Sequence, residues 1–345
     1  MSQRVLHLVG SAVSEFYCEL SRLYAGDCLA ATEDPVRYEV HIAYITPDRR
    51  WRFPAGLGDE AIAAARPMSC DAALQRLTEL EIDVMVPQMF CIPGMTHYRA
   101  LFDVLGIPYV GNPPDVMALT SHKAKAKAVV AAAGVQVPGG ELLRRGARPS
   151  IEPPAVVKPV DADNSVGVEL VRERADYEGA LTAALAHADE ALVETFIPLG
   201  REVRCGIIVT DGQLVCLPLE EYRLDSTHNP IRNHVDKIAR TADGELTLVA
   251  KQSTTAWIVE RSDPVTERVW EAARRCHTAL GCRHYSLFDF RIDPSGQPWF
   301  LEAGLYCSFA RQSVISIMAD AAGMATPELF RIAIAECNRD SEVHA

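Results

Sequence analysis

The sequence predicts an α/β fold that begins with a small, doubly wound parallel sheet. In the first third of the chain, apolar segments of strand length alternate with segments of helical periodicity. Strands are expected over 4–10, 38–46, 82–90 and 107–111. Helices are expected over 14–25, 70–81 and 95–105. This alternation is typical of βαβ units, whose ligands bind beyond the carboxyl ends of the strands, here near Gly10 and 89–96.

The first strand is not followed by a G-x-G-x-x-G motif, which disfavours a dinucleotide-binding fold of that type. The chain has 345 residues and is 48% hydrophobic and 23% charged, as an ordinary globular protein of more than one domain would be. From changes in the pattern of predicted helices and strands, we expect three domains, 1–112, 113–200 and 201–345.

The net charge of −12, without any run of Lys or Arg, argues against nucleic acid as a partner. The N-terminal apolar run is too short for a signal peptide, and no apolar stretch is long enough to span a membrane. The ten cysteines include no C-x-x-C pair, which indicates free thiols and disfavours a zinc site. The sequence therefore predicts a cytoplasmic protein that acts on small molecules.

The rest of the chain mixes helices with antiparallel strands. Helices are predicted over 117–134, 175–188, 264–280 and about 311–337. A strand is predicted over 190–197, and the strands 201–209 and 213–222 form a hairpin around Asp211-Gly212. The polar stretch 223–241 is long for a loop and is predicted to be a lid over the site.

Two carboxylates occupy the otherwise apolar hairpin FDFRIDPSGQPWFLEAG, residues 288–304. A two-residue turn at Pro294-Ser295 would pair residue 289 with residue 300 and leave Asp289 and Glu302 as diagonal neighbours on one face. Two acids this close repel unless a cation lies between them, and their oxygens suit Mg²⁺. A solvated sheet face is the alternative, and a one-residue change of register would separate the acids.

Two lysines and two glutamates are weaker candidates. Lys158 ends an apolar strand and precedes the small-residue loop DADNSVG, a combination that can hold phosphate groups. Lys123 begins a helix, and each lysine taken alone could equally be solvated. Glu194 and Glu202 flank a linker that could contact a nucleotide, or they could be surface charges.

Taken together and in order, these segments resemble the ATP-grasp fold of the D-alanine–D-alanine ligase family. The segments that carry the resemblance are IPYVG, AAAGVQVP, VVKP with NSVGV, REV, and SLFDFRIDPSGQPWFLEAG with ARQSVISIMADAAG. It covers nearly the whole chain and implies an N-terminal α/β domain, a central subdomain and a C-terminal subdomain. It also implies ATP and Mg²⁺ as cofactors, and a homodimer is common in the family.

The resemblance implies a role for each matched residue. Lys123 and Lys158 match the lysines that bind ATP phosphates, and Asn164 and Ser165 match the loop that covers them. The adenine linker, the ribose acid and the metal ligands are matched by Glu194, Phe196, Ile197, Glu202, Asp289 and Glu302.

The amino-acid side of the site is also matched in part. Ser313 matches a serine that binds the carboxylate of the incoming amino acid, and Arg311 is a candidate to assist it. Arg311 could equally be a surface charge of its helix. Glu15 lies where the family binds the ammonium group of the first substrate.

Three departures from the family pattern fall on the acceptor side. Gly304 replaces the Asn that is the third metal ligand, which puts a second Mg²⁺ in doubt. Leu287 replaces the Arg that faces the reacting acyl phosphate, and the stretch 88–102 replaces the loop that forms the first amino-acid pocket. We therefore expect the ATP-binding parts to be retained and the acceptor site to be altered.

The stretches LHLVGSAVSEFY, MFCIPGMTHYRALFDVLGIPYVGN and KAKAKAVVAAAG are similar to mycosporine–amino acid ligases. This similarity implies condensation of mycosporine-glycine with Gly, Ser or Thr, after ATP-dependent phosphorylation of the ring oxygen. Two alternatives remain open: a ligase of D-alanine or another amino acid, and a nucleotide-binding protein that has lost catalysis.

Overall fold

The computed structural model of the protein describes residues 2–162, 165–225, 230–231, 238–240, 246–248 and 255–344. Its first unit is a four-stranded sheet in the order β3-β2-β1-β4, in which β1 runs parallel to β2 and β4 and β3 is an antiparallel edge. The strands are β1 (Gln3–Gly10), β2 (Tyr38–Ile45), β3 (Trp51–Arg52) and β4 (Val84–Pro87). The helices are α1 (Glu15–Ala31), α2 (Asp59–Ala64), α3 (Cys70–Leu80), α4 (Ile92–Met95) and α5 (His97–Leu105).

The parallel sheet predicted from the alternating pattern is confirmed, with one strand fewer than expected. The segment predicted as a strand over 107–111 makes only a single parallel bridge, between Met85 and Tyr109. β1 ends at Gly10, whose φ of +97° and close approach to β2 require glycine, since a Cβ there would lie 2.1 Å from the carbonyl oxygen of Ile45. The chain can therefore turn sharply from β1 into α1.

A second unit is the antiparallel sheet β5-β8-β6-β7. Its strands are β5 (Gly140–Arg144), β6 (Ala155–Pro159), β7 (Glu169–Val171) and β8 (Glu190–Thr195). The helices beside it in sequence are α6 (Pro114–Ser121), α7 (Lys123–Ala132), a 3₁₀ turn at Arg174–Asp176 and α8 (Tyr177–Ala184).

The single helix predicted over 117–134 is wrong, because the chain breaks it at His122. His122 has extended backbone angles, and its ring accepts a hydrogen bond from the N–H of Lys125, so it caps a new helix. The break places Lys123 in the first turn of α7, where its backbone N–H donates to the carbonyl of Val160.

The third unit is a larger sheet in the order β14-β11-β9-β15-β16, with β10 paired to β9. Its strands are β9 (Arg201–Thr210), β10 (Gln213–Cys216), β11 (Glu220–Tyr222), β14 (Ala256–Ile258), β15 (Tyr285–Ile292) and β16 (Pro298–Ala303). A separate pair is formed by β12 (Ile238–Arg240) and β13 (Leu246–Leu248), and the helices are α9 (Val265–Leu280), α10 (Val314–Ala321) and α11 (Thr326–His344). The predicted hairpin around Asp211-Gly212 is confirmed, since Thr210 pairs with Gln213.

The two faces of this sheet differ. One face is apolar throughout and packs against α7 and α9, with Val203, Cys205, Phe288 and Phe290 in the same core cluster. The opposite face is apolar only at one end, where it packs against α10 and α11. At its other end this face carries the charged side chains of the site.

The β15–β16 hairpin corrects the predicted register. Ile292 pairs with Pro298 and the turn is longer than two residues; Gly296 has a φ of +83° and donates its N–H to the carbonyl of Asp293. A bulge between Asp289 and Phe290 then shifts the ladder. Residue 289 therefore pairs with Glu302, and the predicted pairing with residue 300 is wrong.

In the described part of the chain, no helix combines the length and apolar character needed to cross a bilayer. All ten cysteines are free thiols.

Candidate functional site

Charged side chains alternate along the two central strands of the third sheet. Glu202 and Arg204 lie on β9, and Asp289 and Arg291 lie on β15, all on the face away from the apolar core. Arg291 donates to the Glu202 carboxylate at 2.7 Å, and the Nε of Arg204 donates to Asp289 at 2.6 Å. The paired charges make it possible to bury four ionised groups at one end of the sheet.

A second charged group lies on the facing sheet. Glu194 of β8 is almost fully buried, and its two carboxylate oxygens lie 2.6 Å from the Nζ atoms of Lys127 and Lys158. Burial alone would raise the pKa of Glu194, but the two lysines outweigh it and the pKa is lowered. Burial lowers the pKa of Lys127 to about 8, although Glu194 acts to raise it.

Lys123 lies between the loop that follows β6 and the β15–β16 hairpin. Its Nζ donates to the carbonyl of Ala162 at 2.5 Å and lies 3.7 Å from the carboxylate of Glu302. Ala162 belongs to the small-residue loop predicted to cover phosphates, so this lysine reaches from the loop to the acids of the β15–β16 hairpin.

Most of these residues line one cleft, between the second and third sheets, whose cavity volume is about 90 Å³. Its apolar lining includes Val156, Ile197 and Leu301, and its polar lining comprises Lys123, Lys158, Ser165, Glu194, Thr195, Glu202, Asp289, Arg291 and Glu302. The mixed apolar and charged lining is of the kind that holds a small polar ligand. The cleft thus brings together eight residues for which the sequence suggested roles, and Arg291, the partner of Glu202.

The loop between β6 and β7 has a shape that glycine imposes. Ser165 and Gly167 both have φ near +60°, and a Cβ on Gly167 would lie 3.0 Å from Pro159 and 3.1 Å from His187. The loop therefore lies close to the strand that carries Lys158. Asn164 falls outside the described residues.

The predicted adenine linker lies at the edge of the cleft. Ile197 lines it, and the carbonyl of Ile197 accepts a hydrogen bond from Arg291 at 3.2 Å. The ring of Phe196 lies under the guanidinium of the same arginine, with 5.4 Å between Cζ and the ring centroid. Of the predicted lid 223–241, most lies outside the described residues, but the carbonyl of Pro230 accepts from Arg291 at 2.7 Å.

Three candidates for the amino-acid side are not among the residues that line this cleft. Ser313 caps α10, and its hydroxyl is 2.9 Å from that of Ser316. Arg311 is largely exposed and pairs with Asp27 of α1 at 3.2 Å. Glu15 is exposed at the start of α1.

Lys127, Arg204 and Arg291 also belong to the site, although the sequence alone suggested no role for them. A signal was present for each, because Lys127 lies one helical turn after Lys123, and the arginines alternate with acids along buried strands. The sequence does not show which oppositely charged side chain each of these residues contacts.

The residues at the hairpin fit one Mg²⁺ ion that also binds substrate phosphates. In the described part of the chain, no group of three His, Cys, Asp or Glu side chains could hold a metal alone. Mg²⁺ commonly uses only one or two carboxylates with phosphates and water, and Asp289 and Glu302 face each other across the two strands.

Comparisons with known proteins show the family of the chain. The family described as D-ala D-ala ligase C-terminus matches residues 145–335, which is more than half of the chain. An uncharacterised protein, y4sG, of Sinorhizobium fredii is 31% identical over 66% of this chain and 66% of its own length. The D-alanine–D-alanine ligase of Citrifermentans bemidjiense is 31% identical over 67% of this chain and 70% of its own length.

A solved structure shows that the likeness extends to the whole fold. The D-alanine–D-alanine ligase of Bacillus anthracis complexed with ATP superposes with a TM-score of 0.72 at 21% identity, covering 100% of both chains. The predicted ATP-grasp fold is confirmed. The chain therefore belongs to the D-ala D-ala ligase family, the ATP-grasp ligases that use ATP and Mg²⁺.

Proposed function

We propose that the protein is an ADP-forming C–N ligase that phosphorylates an oxygen of an acceptor and then joins the acceptor to the amine of an amino acid. The observation that supports this most is the cleft in which Lys123 and Lys158 approach the facing pair Asp289 and Glu302. We further propose that the three sheets correspond to domains 1–112, 113–200 and 201–345, with the cleft between the last two.

In this proposal Lys123 and Lys158 bind the phosphates of ATP, together with Asn164 and Ser165 of the loop. The apolar wall around Ile197, with Glu194 and Phe196, receives the adenine, and Glu202 binds the ribose. Phosphoryl transfer needs positioning and charge neutralisation more than covalent chemistry, so a cluster of fixed cations is suited to it.

Asp289 and Glu302 would hold Mg²⁺ against the phosphates. The ion, when bound, neutralises the charge that develops in phosphoryl transfer. Arg204 and Lys123 contact the two acids from either side, so the carboxylates are already oriented towards the cleft.

Ser313 and Arg311 are the proposed binding groups for the carboxylate of the amino acid. A guanidinium suits this role because its fork can bind both oxygens. Arg311 would have to exchange Asp27 for the substrate, and both charges are partly solvated, so the exchange costs little.

The named relatives favour D-alanine or another amino acid as the acceptor. The carboxylate oxygen of the first amino acid would take the γ-phosphoryl group and release ADP. The amine of the second would then attack the acyl carbon, and inorganic phosphate would leave as the amide forms.

The acceptor side of the structure favours a mycosporine instead. Leu287 is buried on the sheet face beside Asp289, so this position itself supplies no cation to stabilise an acyl phosphate oxyanion. In this version the ring carbonyl oxygen, which is electron-rich as part of a vinylogous amide, attacks the γ-phosphorus and releases ADP. The amine of Gly, Ser or Thr adds to the ring carbon, the C–O bond breaks with loss of phosphate, and the amine gives up both protons as the imine forms.

The test is an assay of the purified protein with ATP and Mg²⁺, followed by ADP release and product mass. One series contains mycosporine-glycine with glycine, serine or threonine, and a second contains D-alanine alone. A condensed imine in the first series supports the mycosporine acceptor, and D-alanyl-D-alanine in the second supports the amino-acid acceptor. Absence of ADP release in every tube would contradict the proposed ligase.

A further inference from the structure

A second cavity lies on the first sheet, and it shares no lining residue with the cleft between the second and third sheets. Val5 and His7 of β1 and Tyr38 and Val40 of β2 form its floor, on one face of the sheet. α1 covers part of this face and α11 covers another part, and the gap between the two helices has a volume of about 530 Å³. Small-molecule sites in proteins commonly enclose roughly 300–1,000 Å³.

Small residues leave this space open on the side of α1. Gly26 lines the cavity, and a Cβ placed on Gly26 would meet no atom of the described residues within 4 Å. Ala30, which lies one helical turn later, lines the cavity as well. Glycine in the middle of a helix is less favourable than almost any other residue, so Gly26 weakens α1 while it leaves the gap unfilled. A larger side chain at position 26 could therefore fill the cavity.

His7 is the polar group of the cavity floor. It is only 1% exposed, and its Nδ1 has no hydrogen-bond partner among the described residues. Burial lowers the pKa of His7 to about 4, so the ring is neutral near pH 7 and offers one N–H donor and one lone pair. A buried polar atom without a partner is destabilising, and a ligand that forms a hydrogen bond with His7 would remove this cost.

Aromatic rings form the walls beside His7. The ring of Phe330, on α11, lies nearly parallel to the His7 ring, with 6.3 Å between the centroids and 13° between the planes. Tyr38 contacts the same phenylalanine edge-on, at 5.5 Å between the centroids. Together with Leu29 these rings give the cavity flat apolar walls, which suit an aromatic ligand.

The charged side chains that line the cavity are acidic. In the described part of the chain these are Glu33 and Asp34, in the loop after α1, and no Lys or Arg belongs to the lining. Asp34 is paired with Arg37 at 2.9 Å, whereas Glu33 is exposed and forms no ion pair with a described residue. The nearby Arg331 is itself 3.7 Å from Glu328. The negative charge of Glu33 therefore favours a cationic ligand over an anionic one.

We propose that this cavity is a binding site for a small aromatic amine, separate from the nucleotide and amino-acid sites of the ligase. The aromatic ring packs against Phe330 and Tyr38, an N–H or O–H group on the ring donates to His7, and the ammonium group lies beside Glu33. Such a ligand contacts both the first unit and α11, the helix that packs against β9 of the third sheet. The site does not depend on which acceptor the ligase uses.

Isothermal titration of the full-length protein with tryptamine tests the site. Tryptamine carries both an indole N–H and an ammonium group, and two contrasting probes each lack one of them. In 3-(2-aminoethyl)benzothiophene sulfur replaces the ring N–H, and in indole-3-acetate a carboxylate replaces the ammonium group. We expect tryptamine to bind one site per chain, about threefold to tenfold more tightly than the benzothiophene, and indole-3-acetate not to bind.

Gly26→Leu shows whether the binding occurs in this cavity. A leucine at position 26 fills the gap and also favours the helix, so the variant should melt no lower than the wild type and lose tryptamine binding. Gly179→Leu is the matched control, because Gly179 lies in α8 and a Cβ there also meets no described atom within 4 Å. It should bind tryptamine as the wild type does.

His7→Phe tests the hydrogen bond, because it removes the ring nitrogens and keeps a flat ring against Phe330. It should lower the affinity for tryptamine by about threefold to tenfold and leave the affinity for the benzothiophene unchanged. Glu33→Gln should instead weaken the binding of both amines. Melting temperatures of these variants establish that each is folded.

Absence of tryptamine binding to the wild type overturns the proposal, as does binding that persists in Gly26→Leu or is also lost in Gly179→Leu. Equal binding of indole-3-acetate would refute an amine as the ligand. A second copy of the chain seated in the cavity would also overturn the proposal; it would appear as a wild-type dimer that does not bind tryptamine and that dissociates in Gly26→Leu. None of these results depends on the formation of ADP or of a ligation product.

Discussion

Asp289 lies directly opposite Glu302 across β15 and β16, at the point where a bulge shifts the ladder. Each of the two acids also lies beside a cation. Arg204 forms a fork on Asp289, and Lys123 lies 3.7 Å from Glu302. The cations offset the repulsion between the two neighbouring carboxylates.

Neutralising either acid should remove catalysis. We expect Asp289→Asn and Glu302→Gln each to lower kcat by about 10²-fold or more, since each removes a charged metal ligand. Steady-state kinetics over a range of Mg²⁺ concentrations measures this. Asp293→Asn is the control, because Asp293 lies in the turn of the same hairpin and bonds Ser295 and Trp299. It should alter stability and leave kcat within about twofold, and equal losses in all three variants would contradict the assignment.

Lys127 should be essential for stability. Lys127→Met leaves the buried Glu194 with only one of its two lysines, and breaking a buried pair on one side costs roughly 3–5 kcal/mol of unfolding free energy. Lys125→Met on the same helix is the control, because Lys125 is exposed. Urea denaturation of both variants would measure the difference. Equal stability of the two would show that Lys127 contributes nothing to the buried network.

The same lysine should make stability depend on pH in the alkaline range. Its pKa is about 8 in the folded protein, below the ordinary value of 10.5. Between these values the unfolded chain holds more protons than the folded one, so this group makes unfolding less favourable as pH rises. The free-energy cost of burying the protonated Lys127 is present in full below about pH 8 and disappears towards pH 10.5. The stability difference between wild type and Lys127→Met should therefore increase from pH 8 to 10, and a constant difference would refute this.

Gly304 should accept a larger side chain. A Cβ there would meet only Leu287, at 3.9 Å, and φ is not in the left-handed region. We expect Gly304→Asn to fold with an unchanged melting temperature and to place an amide oxygen near Glu302, lowering the Mg²⁺ concentration for half-maximal activity. Gly200→Asn is the contrasting variant, since a Cβ there would lie 2.8 Å from two backbone oxygens, and it should unfold at a lower temperature. An unchanged Mg²⁺ requirement in Gly304→Asn would argue that position 304 is remote from the metal.

Much of the fold was predictable because it depends on local patterns. Alternating strands and helices gave the parallel sheet, and the spacing of Asp289 and Glu302 placed both acids on one face. The bulge after Asp289 was not predictable, because the turn of the hairpin is longer than two residues and is stabilised by side-chain contacts within the hairpin, such as that from Trp299 to Asp293. The break at His122 was missed because the helical period continues through it.

Site residues could be predicted where the residue type itself suggests a ligand, such as phosphate or a metal ion. They could not be predicted where the role depends on a partner side chain on another strand. Lys123, Lys158 and the acids suggested phosphate and metal from their chemistry. Arg204 and Arg291 gave no such indication, because an arginine in a buried strand has meaning only once the acid on the neighbouring strand is known. The roles of all these residues remain proposals.

The most direct test of the central claim follows the acceptor oxygen. The acceptor that reacts in the assay would be prepared with ¹⁸O in the oxygen that is lost, and the inorganic phosphate released would be analysed by mass. If the protein phosphorylates the acceptor before the amine attacks, the phosphate carries one ¹⁸O atom. Phosphate without label would mean that water, not the acceptor, receives the phosphoryl group, and would contradict the proposed ligase mechanism.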